Sequence, residues 1–166
     1  KLPKAPTVLV ANLPYNVSVP VLLNLLERFP TLREGVVMVQ AEVADRLAAK
    51  PGNKDYGVPS LKGAWWADLE SAGNIARSIF WPVPNVDSKL VFFKRHEPLG
   101  NEEFRLKVFS LIDAAFSQRR KMIRSAMSSV LGVNAESIIS AAGIDPTLRG
   151  EALDISAYIA IASQIK

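Results

Sequence analysis

The sequence contains no cysteine and only one histidine, and these two scarcities exclude several classes of function. Without cysteine the chain forms no disulfide and no thiolate metal site, a usage that fits a reducing compartment. The single His96 follows Lys94 and Arg95, which is typical of a solvated residue rather than a catalyst. No group of His, Asp and Glu has the spacing of metal ligands, so we expect no metal site.

Long apolar runs and glycine-rich turns are also missing. No stretch reaches the ~20 apolar residues of a membrane span, and the polar, proline-broken start at residues 1–6 does not resemble a secretory signal. We therefore expect a cytoplasmic protein without membrane contact. The sequence has no G-x-G pattern, whereas a doubly wound domain binds a nucleoside cofactor with a glycine-rich turn and a following acidic residue.

The charge is modest but unevenly distributed. The formal net charge is +4 and the pI is about 9.5. Four cations are concentrated at Arg119, Arg120, Lys121 and Arg124, and such clusters bind phosphate. We predict that these four residues contact nucleic acid, with a solvated helical face as the alternative.

Hydrophobic periodicity predicts an α/β arrangement in the first part of the chain. Val8–Ala11 and Val36–Val39 are continuously apolar, as in buried parallel strands. Between them, Ser18 is a candidate N-cap for a helix that Pro30 ends. A second helix is predicted over 42–49, then a long polar loop over 50–60. Two further strands, over 64–76 and 88–95, are predicted to pair with each other.

The pattern changes near residue 98, after which only helices are predicted. Asn101 is a candidate cap for a helix with an apolar stripe from Phe104 to Phe116. Further helices are predicted from about 118 to 131, over 135–142 and over 156–165. We therefore divide the chain into an α/β domain, residues 1–97, and a helical domain, residues 98–166. Only two parallel strands precede the paired strands, so we interpret the first domain as the second half of a larger sheet.

The tetrad Asn12-Leu13-Pro14-Tyr15 directly follows the first predicted strand and carries a specific chemistry. An exocyclic amine on a base is a poor nucleophile because its lone pair is delocalised into the ring. Two acceptors, the Asn12 side-chain oxygen and the carbonyl of Pro14 (or of Leu13), draw that nitrogen towards tetrahedral geometry. Proline fixes the backbone, and the aromatic ring stacks on the base. The alternative is an ordinary turn between a strand and a helix.

With these residues collected, the chain resembles the bacterial 16S rRNA adenine N6,N6-dimethyltransferases, the KsgA family. The resemblance spans essentially the whole sequence and is carried by five motifs in order. They are Asn12–Ser18, Glu42–Leu47 with Lys54–Gly57, Phe80–Ser88 with its Phe-x-Pro-x-Pro-x-Val-Asp-Ser pattern, Ala115–Lys121, and Gly143–Pro146 with Arg149–Glu151.

The resemblance implies an S-adenosylmethionine-dependent enzyme with a Rossmann-like methyltransferase domain and a small helical C-terminal domain. It implies methyl transfer to the N6 amines of two adjacent adenosines near the 3′ end of 16S rRNA, within the small ribosomal subunit. Phe80 is then expected to close the pocket opposite Tyr15, and Asn12 to lie beside the methyl donor. The cofactor site is incomplete in this sequence, so we expect the chain alone to be inactive. We also expect the protein to be a monomer.

Two other functions stay open at this stage. A 23S rRNA adenine methyltransferase of the resistance type shares the tetrad, although the segments 118–121 and 143–146 favour the 16S enzymes. A non-catalytic RNA-binding module for ribosome assembly is the third reading. For Tyr15 and Phe80 the alternative role is packing in a hydrophobic core.

Overall fold

The structure, a computed structural model, describes residues 4–165. Within that range the chain forms two compact units, the first made of residues up to 49 together with 62–97, the second of 50–61 together with 98 onwards. The sequence predicted one break, near residue 98. The structure groups 50–61 with the second unit, where Tyr56 is buried and donates a hydrogen bond to the Leu153 carbonyl at 2.9 Å.

The first unit is built on a mixed four-stranded sheet in the order β1-β2-β4-β3. Its strands are β1 (Val8–Asn12), β2 (Glu34–Gln40), β3 (Ala67–Ile75) and β4 (Ser88–Arg95). β1 and β2 are parallel, whereas β4 is antiparallel to both β2 and β3. All four predicted strands are present, and the predicted pairing of the last two is confirmed.

The two faces of this sheet differ in burial, and one expectation about β1 is wrong. Val37, Val91 and Phe93 share a face that is fully buried. On the other face Val10, in register with Val36, is 80% exposed. The sequence predicted that β1 is buried on both sides. Within the described chain β1 instead lies at the sheet edge, paired with β2 alone, so its apolar side chains lack a second neighbour.

Close packing between β1 and β2 depends on one glycine. A Cβ atom at Gly35 would lie 2.4 Å from the Leu9 carbonyl oxygen and 2.5 Å from the Phe93 ring. No side chain fits at these distances. Gly35 therefore allows β1, which carries the tetrad at its end, to lie tightly against the centre of the sheet.

Helices α1 (Ser18–Arg28) and α2 (Ala41–Ala48) belong to this unit, and α3 (Val58–Ala64) begins in residues of the second unit and ends in residues of the first. The prediction of a Ser18 N-cap is wrong. A 3₁₀ turn precedes α1, so Val17 takes the cap position, and the Ser18 hydroxyl donates to the Tyr15 carbonyl at 3.3 Å. The predicted loop over 50–60 is also too long, because α3 begins within it at Val58.

Five helices follow in the described residues of the second unit from 98 onwards: α4 (Glu102–Ser117), α5 (Ile123–Ala126), α6 (Ser128–Leu131), α7 (Ala135–Ala141) and α8 (Ile155–Ala162). The Asn101 cap is confirmed, since its side chain accepts the Phe104 N–H at 2.9 Å. The predicted continuous helix over 118–131 is wrong. Residues 118–122 form a turn, and the Ile123 N–H bonds to the Leu148 carbonyl at 2.7 Å, which starts a new helix there.

Candidate functional site

The five residues predicted to be catalytic lie together around one pocket in the first unit. The pocket has a volume of about 510 Å³, within the ~300–1,000 Å³ that ligand sites occupy. Residues 12–15 form one side of its lining and residues from the loop between β3 and β4 form the rest. The described residues that line it are Asn12, Leu13, Pro14, Tyr15, Phe80, Trp81, Pro82 and Pro84.

The backbone of the tetrad is fixed by the sheet. β1 ends at Asn12, and the ladder continues for one more bond because the Leu13 N–H donates to the Met38 carbonyl at 3.1 Å. The Leu13 side chain is buried, whereas Asn12 is exposed. The Pro14 carbonyl accepts the Val17 N–H at 3.2 Å within the following 3₁₀ turn. Asn12 is thus presented to the pocket by a backbone that is bonded on both sides.

A buried serine orients the aromatic ring of the tetrad. The Tyr15 and Ser88 hydroxyls form a hydrogen bond of 2.6 Å, and Ser88 is only 1% exposed at the start of β4. Sequence reasoning missed this role, although Ser88 closes one of the quoted motifs. The available signal was a serine at the buried, first position of a strand, where a polar group requires a partner.

The loop that carries Phe80 is braced at its base. The Arg77 guanidinium lies 3.3 Å from an Asp87 carboxylate oxygen and donates to the Asn85 carbonyl at 3.5 Å. The Asp87 carbonyl in turn accepts the Ala41 N–H at 2.9 Å. These contacts join the two ends of the loop to each other and tie the Asp87 end to the start of α2. Half-buried Phe80 therefore lines the pocket from a restrained backbone.

The lining is poor in charged groups. Among the described residues that form it there is no carboxylate, histidine, lysine or arginine. What the pocket offers is an amide, backbone carbonyls, proline rings and three aromatic side chains. This set suits a flat, neutral, partly aromatic ligand that presents hydrogen-bond donors, and it supplies no charged general base.

The residues present do not make up a complete site for S-adenosylmethionine. A nucleoside cofactor on a Rossmann-like sheet is held by a glycine-rich turn and an acidic residue after a strand, and this sequence has no G-x-G pattern. β1 is instead followed by the tetrad, of which only Asn12 was expected to approach the methyl donor. The described residues of the pocket therefore lack the groups that hold such a cofactor.

The described part of the chain offers neither a metal cluster nor a membrane-spanning helix. Residues 4–165 contain no cluster of three His, Asp or Glu side chains that could hold a metal ion. No helix in the same range is long and apolar enough to cross a bilayer.

The basic residues divide into two pairs in the second unit. Arg119 pairs with Glu151 at 2.8 Å and donates to the Lys54 carbonyl at 2.8 Å. Arg124 pairs with Glu136 at 3.1 Å. Arg120 and Lys121 are exposed in the turn between α4 and α5 and have no side-chain partner within residues 4–165. The predicted cluster therefore offers two uncommitted cations and two that are already paired.

Solved structures show the fold. The structure of a dimethyladenosine transferase from Plasmodium falciparum superimposes with a TM-score of 0.82 at 22% identity, covering 97% of this chain and 66% of that one. The 23S rRNA methyltransferase ErmE superimposes with a TM-score of 0.70 at 19% identity, covering 99% and 67%. At these identities the likeness concerns the fold alone, which is the mixed α/β fold of rRNA methyltransferases.

Sequence comparison shows the family. The ribosomal RNA small subunit methyltransferase A of Paenarthrobacter aurescens is 57% identical over 164 residues, which is 98% of this chain and 56% of the relative. That of Streptomyces griseus is 58% identical over 161 residues, 95% and 55%. The chain thus spans about half the length of these curated relatives. Because the family model for ribosomal RNA adenine dimethylase matches residues 2–166, the chain belongs to that family.

Proposed function

We propose that this chain supplies the target-base pocket of an rRNA adenine dimethyltransferase. The complete enzyme transfers methyl groups from S-adenosylmethionine to the N6 amines of two adjacent adenosines near the 3′ end of 16S rRNA. Its substrate is the maturing small ribosomal subunit, in the cytoplasm. The observation that carries the proposal is the single pocket that contains Asn12, Leu13, Pro14, Tyr15 and Phe80.

The first step is capture of a base that has left its stack. An adenine cannot present its amine to an enzyme while it is stacked, so it is turned out into a pocket that stacks on its faces. Tyr15 and Phe80 belong to different segments of the chain and line the same pocket. In our proposal Tyr15, held by Ser88, covers one face of the adenine, and Phe80 covers the other.

The second step is activation of the amine by two acceptors. The Asn12 side-chain oxygen accepts one N6 hydrogen, and a backbone carbonyl accepts the other. The Pro14 carbonyl already accepts the Val17 N–H, so we assign the second role to the Leu13 carbonyl. Two bonds in this arrangement localise the lone pair on nitrogen, which then attacks. The nitrogen would form a bond to the methyl carbon as the bond from that carbon to sulfur breaks, so that S-adenosylmethionine would leave as S-adenosylhomocysteine. The N6 cation would then release one proton to water.

Docking of the rRNA is assigned to the second unit. Phosphate contacts supply much of the affinity of proteins for nucleic acid. Arg120 and Lys121 are exposed and unpaired within the described chain, so we assign the main contacts to them. Arg119 and Arg124 remain predicted RNA-binding residues, with a smaller share because each already faces a carboxylate.

A methylation assay on the full-length protein that contains this sequence tests the function. Small subunits that lack the modification are incubated with labelled S-adenosylmethionine, and the 3′ fragment of 16S rRNA is analysed by mass spectrometry. We expect up to four methyl groups on two adjacent adenosines, because each N6 amine accepts two. Methylation of 23S rRNA under the same conditions, with 16S rRNA unmodified, contradicts the proposal and supports the resistance-type alternative.

The isolated 166-residue chain should not bind S-adenosylmethionine tightly, because it lacks the glycine-rich turn and the acidic partner. Isothermal titration of the chain with the cofactor checks this expectation. A dissociation constant of about 1 µM or lower would mean that the chain holds a cofactor site that we have not identified.

A further inference from the structure

One tryptophan differs from the other two. Trp65 and Trp66 are buried in the first unit, at 0% and 7% exposure, whereas Trp81 is 95% exposed. Single exposed apolar residues are common and need no special cause. Trp81, however, is also one of the residues that line the pocket, directly after Phe80. An indole that borders a pocket and is almost fully exposed lies at its mouth.

The pocket is larger than one base. Adenine has ten non-hydrogen atoms, and each takes up less space than a water molecule, whose share of liquid volume is about 30 Å³. The pocket has a volume of about 510 Å³. A single adenine between Tyr15 and Phe80 therefore leaves part of this open pocket free, and Trp81 is among the residues that line it.

The backbone around Trp81 is restrained. Pro82 and Pro84 fix two φ angles directly after it, and the contacts of Arg77 with Asp87 and Asn85 close the base of the loop. Stacking on a pre-organised ring costs less conformational entropy than stacking on a mobile one. The loop therefore presents a large aromatic side chain, 95% exposed, from a restrained backbone.

We propose that Trp81 stacks on the base next to the flipped adenosine. This inference rests on the proposed function and extends it to a second nucleotide of the substrate. A polynucleotide that places one base in the pocket must bring its neighbour to the mouth, since the two share a phosphate. An indole face there stacks with any base. Trp81 is thus a positioning residue that keeps the single-stranded RNA in register while its neighbour is in the pocket.

The fluorescence of the chain gives a direct test. Short single-stranded RNAs with a central adenosine are prepared in two forms, one with a normal base beside the adenosine and one with an abasic site there. Stacking should quench Trp81 emission only with the first RNA, while buried Trp65 and Trp66 contribute a constant background. The Trp81→Phe protein should bind that RNA within about threefold of the wild type but show no quenching.

Affinity measurements by anisotropy give the second readout. Trp81→Ala should weaken binding of the normal RNA by roughly 5- to 100-fold, the range measured for loss of one stacked base, and leave binding of the abasic RNA unchanged. Val83→Ala, an exposed change in the same loop outside the lining, should change neither. Circular dichroism confirms folding, which an exposed side chain should not affect.

The two levels of proposal are separable. Tyr15→Ala should weaken binding of both RNAs, because it acts on the adenosine in the pocket. If Tyr15→Ala has that effect and Trp81→Ala has none, the stacking role of Trp81 is wrong and the proposed pocket stands. If neither RNA depends on Tyr15, the pocket assignment itself fails. The inference is overturned if Trp81 emission is not quenched by up to about 1 mM RNA. It is also overturned if iodide, which quenches only exposed tryptophans, does not quench Trp81 in the full-length protein.

Discussion

The pocket of the first unit and the basic segment 118–124 of the second present their functional side chains in opposite ways. In the pocket, buried residues hold the functional side chains in place and leave them accessible. Ser88 is buried and holds the Tyr15 hydroxyl, and the Asn12 side chain stays exposed. In the basic segment, two of the four cations are engaged in ion pairs within the fold, since Arg119 and Arg124 are paired with carboxylates.

This difference shows what a run of similar residues does and does not indicate. Four neighbouring cations were treated as one RNA-binding group because sequence gives their positions and not their partners. The carboxylates of Glu136 and Glu151 lie 12 and 32 residues away along the chain. In the tetrad, by contrast, the chemistry is local, because a strand end, an asparagine and a proline act within four consecutive residues.

The largest effect is expected when the Asn12 amide is removed from the pocket. In the full-length protein, Asn12→Ala should lower the single-turnover rate of methyl transfer by roughly 100-fold or more, as expected when a pre-organised polar contact to a reacting group is lost. Binding of the small subunit should be nearly unchanged. The rate is measured with labelled methyl donor at saturating subunit.

Asn24→Ala is the matched control for this change, since Asn24 is exposed on α1 and does not line the pocket. It should retain the wild-type rate. A rate for Asn12→Ala within a few-fold of the wild type would remove the acceptor role, and with it the main argument for the pocket.

Features that depend on neighbouring residues could be predicted from the sequence, whereas features that depend on contacts distant along the chain could not. The strands, the Asn101 cap and the meeting of residues 12–15 with Phe80 followed from local pattern and motif. The break in the helix at 118–122 did not, because it depends on the Leu148 carbonyl that bonds to the Ile123 N–H. The exposure of Val10 did not either, because burial of a strand depends on which neighbours it has in the sheet.

Two double variants distinguish the contributions of the unpaired and the paired cations to RNA binding. Arg120→Ala with Lys121→Ala should lower the slope of log affinity for the small subunit against log salt by about 1.4–1.8, the value for two lost phosphate contacts. Arg119→Ala with Arg124→Ala should lower it by less than half as much, because those side chains must first leave their carboxylates. Filter binding at five salt concentrations measures both.

Equal losses of slope in the two double variants would show that the ion pairs open on RNA binding and that the four cations act as one group. Methyl transfer at saturating subunit should survive in both proteins, since neither change touches the pocket. That result separates docking from chemistry.

A smaller effect is expected at Ser88. Ser88→Ala removes one hydrogen bond to the Tyr15 hydroxyl, worth about 1 kcal/mol, so kcat/KM should fall by roughly fivefold. Tyr15→Phe removes the same hydrogen bond by deleting the Tyr15 hydroxyl. The double variant should be no slower than either single one, because the two changes delete one shared interaction. Additive losses in this cycle would mean that Ser88 acts on the site by another route.

The smallest effect concerns Arg119 as a structural residue. Its guanidinium joins Glu151 to the Lys54 carbonyl, and the Glu151 carbonyl accepts the Gly52 N–H at 3.2 Å. These bonds hold the segment 50–61 within the second unit. Because the pair is partly exposed, Arg119→Ala should cost only up to about 1 kcal/mol, or a few degrees in Tm. The loss should shrink in 1 M salt, where ion pairs are screened over about 3 Å.

Local opening should be easier to detect than global destabilisation. We expect amide hydrogens of residues 52–57 to exchange faster in Arg119→Ala, while Tyr56, held by its own bond to Leu153, slows the full release of the segment. Arg149→Ala is the control, an exposed arginine of the same unit without a side-chain partner in the described range. If Arg149→Ala lowers Tm as much as Arg119→Ala, net charge rather than the Glu151 contact is responsible. Arg119 then returns to the group of cations available for RNA, and the contrast between the basic segment and the pocket is weakened.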